Sequence, residues 1–211
     1  HIGSQILSET PFKKTLNILL KLINELDLKL KYVDLGGGFG IQYTKKDKII
    51  NLKDYAKHVL NFKKKLNCNI IFEPGRSLIG NTGLLVTKIQ YIKKGENKTF
   101  IILDAGMNDF MRPALYDAKH EIVPINKSSK RNMGSVEFVG PICETTCRFI
   151  QYKKYQRISE NDLVAITNVG AYGSSLASNY NTKPLIAEIL VYKNKFKVIR
   201  KKQDLLKLIK N

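Results

Sequence analysis

The hydrophobic pattern of this chain changes period once, near Gly83, and that change limits the architectures open to it. Before it, apolar residues recur at three- and four-residue steps in two long stretches. Phe12, Leu16, Leu19, Ile23 and Leu26 form the first, and Tyr55, Val59, Phe62 and Leu66 the second. Such spacing predicts two amphipathic helices, each burying one face. Thr10-Pro11 supplies the expected start of the first, a capping hydroxyl followed by proline at the first helical position. Residues 31–35 and 69–72 read as short strands, and with the opening Ile2 segment the order is strand-helix-strand-helix-strand. Alternation of this kind fits part of a parallel α/β barrel or open sheet.

Beyond Gly83 the helical period disappears. Residues 84–92, 99–103, 121–125, 136–139, 163–166, 186–192 and 196–199 read as strands, separated by turns such as Lys94-Gly95-Glu96-Asn97 and Lys193-Asn194-Lys195. A mostly antiparallel β domain is expected there. Leu205, Leu206, Leu208 and Ile209 suggest a short closing helix, and residues 127–132 the most mobile loop. The expected division is therefore 1–82 and 83–211. The opening His1-Ile2-Gly3-Ser4 lacks an initiator Met and the order of a signal peptide, and reads as a truncated start. No apolar run is long enough to span a membrane.

The formal charge of +18 raises the question of nucleic-acid binding. Its composition argues against it: 30 lysines stand against six arginines, spread along the chain without interleaved aromatics. Phosphate and base recognition by fork geometry favours Arg. A solvated basic surface is the simpler reading. Cys68, Cys143 and Cys147 do not form a disulfide framework, and no histidine lies at ligand spacing to complete a zinc site. Reduced thiols in a cytoplasmic protein are expected.

Several loops carry residues suited to chemistry. Gly36-Gly37-Gly38-Phe39-Gly40 directly follows a strand, where missing Cβ atoms let backbone N–H groups close on a phosphate or simply permit a tight turn. Glu73-Pro74-Gly75-Arg76 ends the next strand with a carboxylate, a rigid turn and a guanidinium; a ligand site and a surface ion pair are both compatible with it. Gly140-Pro141-Ile142-Cys143-Glu144 sets a thiol beside a carboxylate, although cysteine is often only a small buried hydrophobe. Arg112 and Tyr116, four apart, share a face on any helical turn and could grip a carboxylate. Tyr172 and Tyr180 place further phenols in polar loops.

Taken together, HIGSQ at 1–5, DLGGGFGI at 34–41, EPGR at 73–76, DAGMND at 104–109, MRPALY at 111–116, GPICE at 140–144, GAYG at 170–173 and SNYN at 178–181 occur in one order. That order resembles the fold-type III pyridoxal-phosphate-dependent decarboxylases across nearly the whole chain. The resemblance implies the last strands of a (β/α)8 barrel in 1–82 and a C-terminal β domain in 83–211. It implies pyridoxal 5'-phosphate as cofactor, with His1 stacked on its ring, and Ser4 and Gly36, Gly37 and Gly38 holding its phosphate. Glu73, in the Pro74-Gly75 turn, would pair with the ring nitrogen, and Arg76 would lie near phosphate and substrate. Tyr180 would reach cofactor and substrate, and Cys143 would return a proton to the substrate carbon. The thiol loop would cross a homodimer interface.

The implied reaction is decarboxylation of meso-2,6-diaminopimelate to L-lysine. That substrate carries a second amino-carboxylate end; Arg112 with Tyr116 would take its carboxylate and Glu144 its ammonium. Relatives acting on ornithine carry Asp after this cysteine. The resemblance also implies a Schiff-base lysine upstream of residue 1, and the Asp117-Ala118-Lys119-His120 phrase does not match its context. Cys147 stands where the family usually has an acid. Two alternatives are a non-catalytic homologue that regulates a partner decarboxylase and a related ornithine- or arginine-type enzyme. Neither nucleic-acid nor membrane partners are expected.

Overall fold

The computed structural model describes residues 1–126 and 131–210. These divide into two compact units, His1–Thr82 and Gly83–Asn211. Residues 127–130 of the loop expected to be most mobile lie outside the described residues.

The first unit holds two helices and a pair of parallel strands. Helix α1 spans Thr10–Glu25 and buries Phe12, Leu16 and Ile23. Its cap is Glu9, without a side-chain cap bond, so Thr10 belongs to the first turn instead of capping it. Leu26, expected on the apolar face, follows the helix end and is exposed. Helix α2, Leu52–Leu66, is capped by Asn51, whose side chain accepts from the N–H groups of Lys53 and Asp54. Strands β1 (Tyr32–Asp34) and β2 (Asn69–Ile71) pair in parallel, Val33 facing Ile70. The opening segment contributes only an isolated parallel bridge between Ile6 and Phe39, not the strand that its apolar residues suggested. Phe12, Phe39 and Tyr55 form an aromatic nucleus with ring centroids 4.9–5.1 Å apart. A short helix α3, Arg76–Ile79, follows β2.

In the second unit a six-stranded sheet has the order β5-β8-β3-β4-β6-β7. Its members are β3 (Leu85–Lys94), β4 (Thr99–Leu103), β5 (Ile122–Pro124), β6 (Val136–Val139), β7 (Arg148–Tyr152) and β8 (Leu163–Ile166). All pairs are antiparallel except β4 with β6. The ten-residue β3 joins β8 through Leu85–Lys88 and β4 through Ile89–Lys94, so the sheet curls around it. Leu85 and Ile89, with Ile101, Leu103, Val136, Phe138 and Ile166, fill the enclosed core. Strand β7 was not apparent from sequence: the run Arg148-Phe149-Ile150-Gln151-Tyr152 exposes its polar residues at the sheet edge and shows only a brief apolar pair. Helix α4 is one turn, Arg112–Tyr116. A separate antiparallel hairpin, β9 (Glu188–Tyr192) and β10 (Lys195–Arg200), precedes the closing helix α5, Leu205–Lys210.

Candidate functional site

Each unit gathers its own set of motifs. In the first, the glycine run leaves β1 and runs against both the opening residues and the Glu73 turn. Gly38 has φ +91°, and a Cβ there would lie 2.6 Å from the carbonyl oxygen of Gly3. A Cβ on Gly37 would lie 2.3 Å from the carbonyl oxygen of Glu73. No other residue fits at either place. Backbone bonds reinforce the approach: Glu73 N–H donates to the Gly36 carbonyl at 2.8 Å, and Ile6 N–H to Gly38 at 3.0 Å. The Gln5 side chain spans to Ile41, donating at 2.6 Å and accepting at 3.1 Å.

The charged groups of this cradle follow from that framework. The Glu73 carboxylate lies beside Gly36, with Oε2 4.0 Å from where a Cβ would stand. Arg76 donates to the Ser4 hydroxyl at 3.0 Å and to the Tyr43 hydroxyl at 2.6 Å. Thus Ser4, Gly36, Gly37, Gly38, Glu73 and Arg76 come together, with Pro74 and Gly75 forming the turn between the last two. His1 is exposed at the start of this segment. Tyr43, which spacing did not single out, also contacts the guanidinium, its ring 5.7 Å away.

In the second unit the five motifs meet in two groups. The Asp104–Asp109 turn closes through Gly106 N–H donating to Asp109 at 2.9 Å. Burial, foremost, raises the Asp109 carboxyl above its ordinary range. Gly140 packs so closely on this turn that a Cβ would meet Gly106 Cα at 2.7 Å and Cys147 Sγ at 2.5 Å. Ser178 N–H donates to the Asn108 carbonyl at 2.9 Å, tying in the Ser178–Asn181 segment. From there the exposed Tyr180 hydroxyl donates to the Glu144 carboxylate. That bond is the leading cause of a raised Tyr180 pKa, with smaller contributions from burial and from the charges of Glu144 and Cys143.

Arg112 is 6% exposed and is flanked by the rings of Tyr116 and Tyr172, 5.8 and 5.6 Å from its guanidinium carbon. Tyr172 adopts φ +65°, a conformation few non-glycine residues hold. His120, to which the sequence assigned no role, accepts from Arg112 Nε at 3.4 Å. Cys143 is exposed, whereas Cys147 is buried with Sγ accepting from Met107 N–H at 3.4 Å. Cys147 therefore packs against Gly140 and the Asp104–Asp109 turn. Among the described residues no group of three or more His, Cys, Asp or Glu could hold a metal, and no helix is long and apolar enough to cross a membrane.

The family model described as "Pyridoxal-dependent decarboxylase, C-terminal sheet domain" matches residues 18–170, and the chain belongs to that family. Within it, the chain is similar to curated diaminopimelate decarboxylases. It is 43% identical to one from Helicobacter pylori over 97% of this chain and 51% of that protein. It is 40% identical to one from Zymomonas mobilis over 100% of this chain and 51% of that protein. A crystal structure of the Helicobacter pylori enzyme complexed with L-lysine superposes with TM-score 0.89 at 41% identity, covering 100% of this chain and 52% of that one. The chain spans about half the length of the curated relatives it matches.

Proposed function

We propose that the protein decarboxylates meso-2,6-diaminopimelate to L-lysine with pyridoxal 5'-phosphate as cofactor. The observation that carries this reading is the meeting of residues 3–4, 36–38 and 73–76 in one cradle, where backbone approaches too closely for any Cβ. A glycine turn of this kind with Ser4 and Arg76 beside it suits a phosphate monoester. Gly36, Gly37, Gly38, Ser4 and Arg76 hold the phosphate; Glu73 pairs with the pyridine nitrogen and keeps it protonated; His1 covers the ring. When bound, the cofactor supplies an electron sink for the charge left as carbon dioxide departs.

The chain's other residues bind the substrate and move its proton. In the second unit, Arg112 and Tyr116 take the distal carboxylate, Glu144 the distal ammonium, and Tyr180 the reacting end. Cys143 is exposed, as a proton donor to the substrate carbon must be. The protein acts as a homodimer with shared sites, the Cys143 loop serving the partner's site. Its free thiols suit the cytoplasm. The similarity to diaminopimelate decarboxylases supports this substrate over ornithine or arginine.

Carbon dioxide release by the full-length protein from meso-diaminopimelate, ornithine and arginine tests the assignment. Only the first should turn over well; equal rates on all three would remove it. Arg112→Ala should raise KM for diaminopimelate roughly 10- to 150-fold, the loss of one charged hydrogen bond. Cofactor affinity should stay unchanged.

A further inference from the structure

Arg112 stands at the first position of a one-turn helix, too short to hold a long side chain by itself. Its orientation is set from elsewhere. Arg112 Nε lies 3.4 Å from His120 Nε2, and His120 Nδ1 lies 2.9 Å from the Thr167 carbonyl oxygen. A carbonyl only accepts, so Nδ1 carries the proton toward Thr167; guanidinium N–H only donates, so Nε2 presents its lone pair to Arg112. These two neighbours fix one tautomer. The imidazole is 1% exposed and meets Phe110 edge to face at 4.6 Å.

The anchor is the sheet. Ile122 of β5 pairs with Ile166 of β8, and Thr167, next in the chain, donates its N–H to the Glu121 carbonyl at 2.9 Å. Between α4 and β5, Asp117 turns the chain with φ +50° and brings residue 120 back beneath residue 112. An arginine grips a carboxylate side-on through Nε and one Nη, or end-on through both Nη groups. With Nε directed at His120, a side-on grip would have to displace the imidazole.

We propose that His120 is a positioning residue that couples the β5–β8 edge to Arg112, and so helps determine selectivity for a substrate with a distal carboxylate. The proposal rests on the reading of Arg112 given above. Its ligand class is an amino acid with a second amino-carboxylate end. L-lysine qualifies as well, because decarboxylation at one end of diaminopimelate leaves the other amino-carboxylate intact.

Three substitutions in the full-length holoenzyme separate positioning from packing. His120→Asn keeps a donor near Thr167 but nothing at the Nε2 position; His120→Phe keeps the ring alone; His120→Gln can return an acceptor to Arg112. The first two should raise KM for meso-diaminopimelate, and the dissociation constant for L-lysine, about tenfold, with kcat within about twofold. Cofactor affinity should not move. His120→Gln should recover to within about threefold. Equal losses of kcat, lysine binding and cofactor affinity, or a Gln variant no better than Phe, would overturn the proposal. Should the variants fail to fold, imidazole 15N shifts of the unaltered protein decide: an unprotonated Nε2 supports the pairing, and a proton on Nε2 refutes it. If the unaltered enzyme neither binds L-lysine nor acts on diaminopimelate, the reading of function fails, while those nitrogen shifts still judge the His120–Arg112 pair.

Discussion

The Tyr180 hydroxyl donates a hydrogen bond to the Glu144 carboxylate, joining two loops 36 residues apart in sequence. Both side chains are exposed, so the bond adds little to stability.

That bond predicts a spectroscopic signature. It is the first cause of the raised Tyr180 pKa, so the neutral phenol is favoured in the fold. Its contribution is complete below the ordinary tyrosine range and is lost as pH climbs through the raised value. Subtracting the 295 nm titration of Tyr180→Phe from that of the unaltered protein isolates this phenol. Glu144→Gln should move its transition downward; an unmoved transition would show that the bond does not form in solution.

The glycine cradle should tolerate no side chain. Gly38→Ala adds a methyl 2.6 Å from the Gly3 oxygen on a backbone at φ +91°. Strain of roughly 1–3 kcal/mol is expected. Cofactor affinity should fall more than the thermal midpoint suggests, because the phosphate loses its cradle as well. Fluorescence titration with pyridoxal 5'-phosphate alongside thermal melts measures both, and unaltered affinity would remove these glycines from the site.

The two neighbouring thiols should behave differently. Cys143 is exposed and Cys68 and Cys147 are buried, so iodoacetamide should label Cys143 first and the others only after denaturation. Cys143→Ala should lower kcat about 100-fold or more, the contribution expected of a positioned proton donor, with cofactor affinity retained. Prompt labelling of Cys147 would contradict its packing role.

Buried phenols predict late ionisation and a loss of stability in strong alkali. Burial pushes the Tyr55 pKa up to about 12. Burial first, and Tyr152 second, push Tyr155 up as well. Both raised values stabilise the fold below the ordinary tyrosine range, and that contribution fades as pH rises through them. Tyr155 donates to the Ile122 carbonyl at 2.8 Å while Tyr152 accepts from Ile122 N–H at 2.8 Å. Tyr155→Phe should therefore cost about 1–3 kcal/mol by denaturant unfolding. Stopped-flow absorbance should show the exposed tyrosines ionising at once, and Tyr55 and Tyr155 only as circular dichroism is lost.

The sequence alone determined the elements whose side chains carry a period. The faces of α1 and α2, the exact limits of β4, β6 and β8, and the change of architecture at Gly83 could all be read from local spacing. Order and chemistry of the motifs sufficed for the family as well. Long-range pairing decided the rest. Arg148–Tyr152 became a strand because β6 offered an edge, and Ile2 did not because only Ile6 found a partner. Tyr43 met Arg76 across 33 residues, and His120 met Arg112 with no helical or strand register between them. Contacts such as these depend on where the backbone turns bring side chains in three dimensions, and a one-dimensional period carries no record of that.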